Sequence, residues 1–95
     1  MPYVKQHDRE PVDKDICSLG RALLLTPMDK RWGLLNYMVT ELVGYAWGTS
    51  IGYNEFNSAI GALEAAKLEM YRRALGPYED KKKNENGDVS AYMGR

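Results

Sequence analysis

The stretch Asn54–Leu75, NEFNSAIGALEAAKLEMYRRAL, decides the fold of this 95-residue chain. It contains no proline and a single glycine, and it is rich in Ala, Leu, Glu, Lys, Met and Arg, which are strong helix formers. We therefore predict one long helix that ends at Gly76-Pro77, because glycine followed by proline commonly terminates a helix. Two apolar stripes run along it, one through Phe56, Ala59, Ile60, Leu63, Ala66 and Met70, the other through Leu68, Tyr71 and Leu75.

Apolar residues spaced by three or four predict two shorter helices upstream, over about 11–25 and 30–47. Pro11 suits the first helical position, where no backbone N–H is needed. Thr26 suits the N-cap of the second helix. A turn beginning at residue 27 is compatible with the start of this helix. The stripes are Val12, Ile16, Leu19 and Leu23 in the first helix, and Trp32, Leu35, Met38, Val39, Leu42, Val43 and Ala46 in the second.

The chain is short enough to form one domain, and we predict a single helical domain over residues 1–95. The fold class is all-α, with two to three helices, a long C-terminal helix and the shape of a helical hairpin. Residues 1–10 are polar and lack a helical period. Residues 77–95 are highly charged, so we expect an extended or partly disordered tail unless a partner orders it.

Composition excludes several classes of protein. Lys plus Arg number 13 and Asp plus Glu number 13, and this zero net charge argues against a nucleic-acid binder. The one cysteine cannot form an internal disulfide, which excludes a disulfide-rich secreted scaffold. The sequence has neither a secretory signal nor a membrane-spanning apolar run, so we expect a cytoplasmic protein that does not bind membranes.

Catalytic and metal-binding patterns are missing from the sequence. His7 and Cys17, each the sole residue of its type, are ten positions apart, which is no zinc site. Cys17 lies beside the stripe of the first helix, where we expect a small buried hydrophobic side chain. The chain contains no phosphate loop and no nucleophile elbow. We therefore predict a protein that is not an enzyme and needs neither a metal nor a cofactor.

The strongest local signal is a basic-aromatic cluster near the end of the long helix, made of Lys67, Tyr71, Arg72, Arg73 and Tyr78. Arginine forks match phosphate oxygens, and a tyrosine ring can stack on a base. The cluster therefore predicts binding of a nucleotide-like ligand. In the alternative interpretation, Arg72 and Arg73 only complement the negative end of the helix and pair with Glu69.

Three further side chains are candidates for ligand contacts. Asn36, Tyr37 and Asn57 lie in predicted helices, and an asparagine amide there can fix the polar edge of a base. The alternative is that they are solvent-facing polar residues.

The wide apolar surface of the long helix predicts self-association, because small cores are often completed by oligomerisation. We expect a dimer or a larger homo-oligomer, such as a hexamer.

The chain resembles a family of small phage and prophage proteins of unknown function. The resemblance covers nearly the whole sequence and rests on Pro2–Gln6 with Asp8-Arg9, Leu35–Tyr37, Gly61–Arg73, Pro77–Lys82 and Glu85–Val89. It implies a protein of the bacterial cytoplasm during infection.

The order of a helix, a short loop and a long helix with a basic end is also similar to phage sponge proteins that counter Thoeris and CBASS immunity. This likeness implies a helical homo-oligomer that sequesters a cyclic oligonucleotide or a cyclic ADP-ribose isomer between subunits. Arg73 would hold the ligand, and Asn57 would correspond to an asparagine near the start of the long helix. The resulting hypothesis is a non-enzymatic sponge; the second is an accessory protein or inhibitor that binds a host or phage protein.

Overall fold

A computed structural model of the chain describes residues 4–49 and 51–93, and all regular elements in these ranges are helical. The elements are α1 (Gln6–Leu25), α2 (Met28–Trp47), α3 (Tyr53–Met70), a π-helical segment (Tyr71–Leu75) and α4 (Gly76–Asn86). The last three follow one another without a break, so they form one helix of 34 residues. The prediction of an all-helical chain with a long final helix is confirmed.

Helix α1 begins earlier than predicted. The Lys5 carbonyl accepts hydrogen bonds from the backbone N–H groups of Asp8 at 2.9 Å and Arg9 at 3.2 Å, which starts the helix ahead of Gln6. The prediction that residues 1–10 lack a helix is therefore wrong for its second half; residues 1–3 lie outside the described ranges. Pro11 is tolerated inside the helix because its ring already fixes a helical φ and it removes only one backbone hydrogen bond.

The elbow between α1 and α2 is held by Arg31. Its guanidinium donates to the carbonyl oxygens of Leu24 at 3.2 Å and of Thr26 at 3.1 and 3.2 Å. These carbonyls have no partner within a helix, so the arginine satisfies the exposed end of α1. Thr26 does not cap α2 as predicted, since its hydroxyl donates to the Ala22 carbonyl at 2.7 Å and Pro27 is the N-cap.

The long helix does not end at Gly76-Pro77, so both that prediction and the prediction of an extended tail over 77–86 are wrong. The N–H of Gly76 donates to the Tyr71 carbonyl, the i→i−5 bond of a π turn. This wider turn places Pro77 at the second position of α4, where the missing N–H costs little. The helix ends instead at Gly87, whose φ of 87° favours glycine.

The three helices are splayed. Helix α2 contacts α1 and α3, but in the described chain no Cα of α1 comes within 8 Å of a Cα of α3. The radius of gyration is 17.7 Å, against about 12 Å for a compact domain of this length. A single copy therefore does not close into a compact bundle.

No residue in the described ranges is buried, and Cys17 is exposed rather than buried as expected. The chain exposes 8490 Å², which exceeds by about 3,000 Å² the surface expected of a folded monomer of 10.8 kDa. At the α2–α3 elbow the Trp47 and Phe56 rings meet edge to face with centroids 5.2 Å apart. The residues of the apolar stripes lie in these helices as predicted, yet most of their side chains stay in contact with water.

Candidate functional site

The basic-aromatic cluster falls on the π-helical segment. Tyr71, Arg72 and Arg73 are its first three residues. Single π turns are rare and occur frequently at functional sites, because the extra residue redirects side chains that a regular helix would place elsewhere. The position of this turn makes it the leading candidate site.

Both arginines of the segment contact one carboxylate. Arg72 Nη2 lies 3.1 Å from Glu69 Oε1 and 3.3 Å from Oε2, and Arg73 Nη1 lies 3.6 Å from Oε1. The arginine side chains are 67% and 64% exposed. The pairing expected by the alternative interpretation is thus present, but the helix end it also required is not, because α4 continues to Asn86.

The Tyr71 hydroxyl is bonded across the π segment to α4. It donates to Glu79 Oε2 at 3.2 Å, eight positions along the chain. In a regular helix the residue seven positions after Tyr71 would lie on the same face, two turns along. The wider π turn brings the residue eight positions later, Glu79, to that place instead. The hydrogen bond to Glu79, and then the negative charge of that carboxylate, raise the pKa of the Tyr71 phenol above its ordinary value of 10.0.

The remaining basic and aromatic members of the cluster have partners of their own. Lys82 Nζ lies 5.7 Å from the centroid of the Tyr78 ring, a cation–π distance. Lys67 Nζ lies 3.3 Å from Glu64 Oε1. Exposed pairs of this kind contribute little to stability, so a bound anion could displace them.

The other predicted contact residues do not join the cluster within one chain. Asn57 and Arg73 are 16 positions apart, which is about 24 Å along a helix. Asn36 lies in a groove between α2 and α3, where its Oδ1 accepts a hydrogen bond from Thr40 Oγ1 at 3.3 Å. Tyr37 is 63% exposed on α2. Within one chain, the asparagines therefore lie apart from the arginines.

A second groove, of about 730 Å³, separates the start of α1 from the arginine cluster. Its α1 wall carries Arg9 and Asp13 among the apolar side chains of Val12 and Ile16, and Arg73 lies on the opposite wall. Sequence analysis placed Val12, Asp13 and Ile16 in the first helix, but it missed Asp8 and Arg9 because it started that helix at residue 11. The apolar spacing gave no signal for the earlier start, since Asp8, four positions before Val12, is charged.

The described ranges hold no group of three or more His, Cys, Asp or Glu side chains that could bind a metal ion. No helix in them has the length and apolar character needed to cross a membrane.

Comparison with known proteins identifies a family for this chain. No curated protein and no solved structure matches the chain. A family model described as a domain of unknown function, DUF6899, matches residues 1–89, which include α1, α2 and the complete long helix. The chain therefore belongs to the DUF6899 family.

Proposed function

We propose that this protein is a non-enzymatic, homo-oligomeric binding protein that sequesters a nucleotide-type anion at the arginine pair of the π segment. The observation that carries the proposal is the arrangement of Arg72 and Arg73. Both guanidinium groups reach the same carboxylate, both are largely exposed, and both leave the helix at a π turn. Paired arginines at one place suit the oxygens of a phosphate or a pyrophosphate.

Aromatic faces near the arginines would hold the base. Tyr78 is 57% exposed and follows the π segment in α4. Tyr71 would form one side of the site rather than stack on the base, because its hydroxyl donates a hydrogen bond to Glu79. Lys67, one turn before Tyr71, would add a further positive charge.

The asparagines would reach such a ligand only from another subunit. Asn57 is about 24 Å along the helix from Arg73 in its own chain, and Asn36 faces a different groove. In a homo-oligomer, a ligand between subunits can touch the arginines of one copy and Asn36, Tyr37 or Asn57 of another. The large exposed surface of a single copy supports such an assembly.

The biological setting rests on the resemblance to phage proteins described above. In that setting the ligand is an immune second messenger, either a cyclic oligonucleotide or a cyclic ADP-ribose isomer, and its removal blocks host anti-phage defence.

The test is binding with intact recovery of the ligand. The purified protein is titrated with cyclic di- and trinucleotides and cyclic ADP-ribose isomers, and bound ligand is released by heat and analysed. We expect binding of one class, recovery of the unmodified ligand, and an affinity about 10- to 100-fold weaker in Arg72→Ala and Arg73→Ala. Arg21→Ala, which removes a charge from α1 outside the cluster, is the matched control and should bind normally. Absence of binding across the panel would refute the proposal, and a modified product would identify an enzyme.

A second candidate is a protein-binding accessory factor or inhibitor. It is favoured by α4, a charged helix that is exposed from residue 77 to residue 86, where an extended tail was predicted, and which offers a docking surface. A stoichiometric complex with one purified host or phage protein, lost when residues 79–86 are neutralised, would select this function over the sponge.

A further inference from the structure

Helices α2 and α3 diverge from their elbow and leave an apolar groove between them, of about 340 Å³. Most of its lining is apolar, and this part includes Val39, Val43, Trp47, Phe56, Ile60 and Leu63. The Trp47–Phe56 contact closes its narrow end. Large side chains such as Ile60, at 65% exposed, remain open to water on its α3 wall.

The lining carries no charge. Asn36 and Thr40 are its polar side chains, and the Thr40 hydroxyl donates to the Asn36 backbone carbonyl at 2.8 Å and lies 3.3 Å from Asn36 Oδ1. Water gains few partners in such a groove, and a charged occupant would lose its hydration without gaining an ion pair. The occupant must therefore present an apolar, uncharged face.

The exposed area favours an occupant of the size of a protein. Over all its helices together, the chain exposes about 3,000 Å² more than a compact monomer of its mass. Obligate dimers bury about 1,000–2,500 Å² on each partner. A nucleotide or a short peptide would cover only a small part of the excess, whereas a second helical hairpin matches it.

The uncharged lining fits a second copy. In a two-fold dimer the same patch serves on both partners, so the groove of one copy meets the groove of the other. The groove carries no charge that this contact would bury. Glu64 and Lys67 lie one turn farther along the same face of α3 and are paired at 3.3 Å, so they would lie at the polar rim of the contact.

We propose that a second copy of this chain docks into the α2–α3 groove through its own α2–α3 groove, so that two hairpins form one four-helix core. This inference rests on the homo-oligomeric part of the proposed function and names its interface. Trp47 and Phe56 would be covered at the elbow end of this core, and desolvated aromatic side chains of this kind contribute strongly to binding. The Trp47 indole N–H is shielded from water and lacks a hydrogen-bond partner in the described chain.

The first test compares two leucines of the same helix. Leu63 lines the groove and is 45% exposed, and Leu68 lies outside it and is 55% exposed. Because both are similarly exposed in one copy, lysine at either position should perturb the helix alike. We expect Leu63→Lys to raise the dissociation constant for self-association at least 100-fold, since the change occurs twice in the interface, and Leu68→Lys to change it less than about threefold. Sedimentation equilibrium measures both, with helicity by circular dichroism as the folding control.

The second test needs no substitution. In a mixture of isotopically labelled and unlabelled wild-type chains, filtered nuclear Overhauser spectra should show methyl contacts between copies at Val39, Val43 and Ile60. A wild-type protein that remains monomeric would overturn the inference. An oligomer that survives Leu63→Lys and shows no such contacts would also overturn it, while leaving the homo-oligomer standing. Ligand binding is measured separately, so its failure would not be confused with either result.

Discussion

Replacing Pro77 with alanine should convert the π segment into regular α-helix. Proline has no N–H, so the carbonyl four residues earlier, that of Arg73, cannot receive the usual bond from position 77. A wider turn accommodates the missing donor, and in this turn the Gly76 N–H donates to the Tyr71 carbonyl. Alanine restores the missing donor and removes the ring, so the reason for the wider turn disappears.

The magnitude follows from two opposing contributions. Proline inside a helix costs about 3 kcal/mol relative to alanine, but Pro77 already lies at the second position of α4, so only part of this is recovered. Alanine also restores backbone freedom to the unfolded chain, which opposes the gain by about 0.4–1 kcal/mol. We expect α4 to be stabilised by about 1–2 kcal/mol, seen as roughly 5- to 30-fold slower amide hydrogen exchange over residues 77–86.

The geometry supplies an independent readout. Loss of the π turn rotates α4 by one residue, which moves Glu79 away from Tyr71. The Tyr71 pKa should then fall toward its ordinary value, as followed by nuclear magnetic resonance of its ring. Gly76→Ala is the control because it keeps the proline; its Cβ would lie 3.2 Å from the Tyr71 carbonyl, so it should not give the usual stabilisation of glycine-to-alanine in a helix. If Pro77→Ala leaves exchange and the Tyr71 pKa unchanged, the proline is not the cause of the π turn.

Two further predictions concern the elbow between α1 and α2 and the hydrogen bond between Tyr71 and Glu79. Arg31→Ala should lower the free energy of unfolding by about 1–2 kcal/mol in chemical denaturation, because carbonyls at the end of α1 lose their donor. Arg31→Lys should recover only part of this stability. An unchanged denaturation midpoint in Arg31→Ala would contradict this role of the arginine. Because the pKa of Tyr71 is raised in the folded chain, the stabilisation from its hydrogen bond to Glu79 is present below the ordinary pKa of 10.0 and is lost as the pH rises through the raised value. Glu79→Gln should bring the ultraviolet titration of Tyr71 back toward that of an ordinary tyrosine, and an unshifted titration would rule out the carboxylate as the cause.

Local sequence patterns were sufficient to predict the helices. The spacing of Val12, Ile16, Leu19 and Leu23 places α1, and the strong helix formers of Asn54–Leu75 place the long helix. These signals depend on residues three or four positions apart, which interact inside one helix and need no knowledge of the rest of the chain.

The ends of the helices depended on less common backbone arrangements. Gly76-Pro77 usually stops a helix, but a π turn lets this one continue to Asn86. A sequence pattern does not distinguish these outcomes, because the same two residues suit both a stop and the first turn of a new helical stretch. The wrong start of α1 has the same origin, since Pro11 is compatible with either the first position or the interior near a helix start.

The sequence by itself determined that the chain is helical, that its long helix carries more apolar surface than one neighbour covers, and that its arginines and tyrosines cluster near residue 72. Only the tertiary structure decided that this surface stays open, and that Asn36 lies in a groove that Arg72 and Arg73 do not line. The physical reason is that helix formation is local, whereas the angle between helices depends on the short elbows at Thr26-Pro27 and Gly48–Gly52. Those elbows leave the three helices splayed, so the apolar faces of one copy do not cover one another.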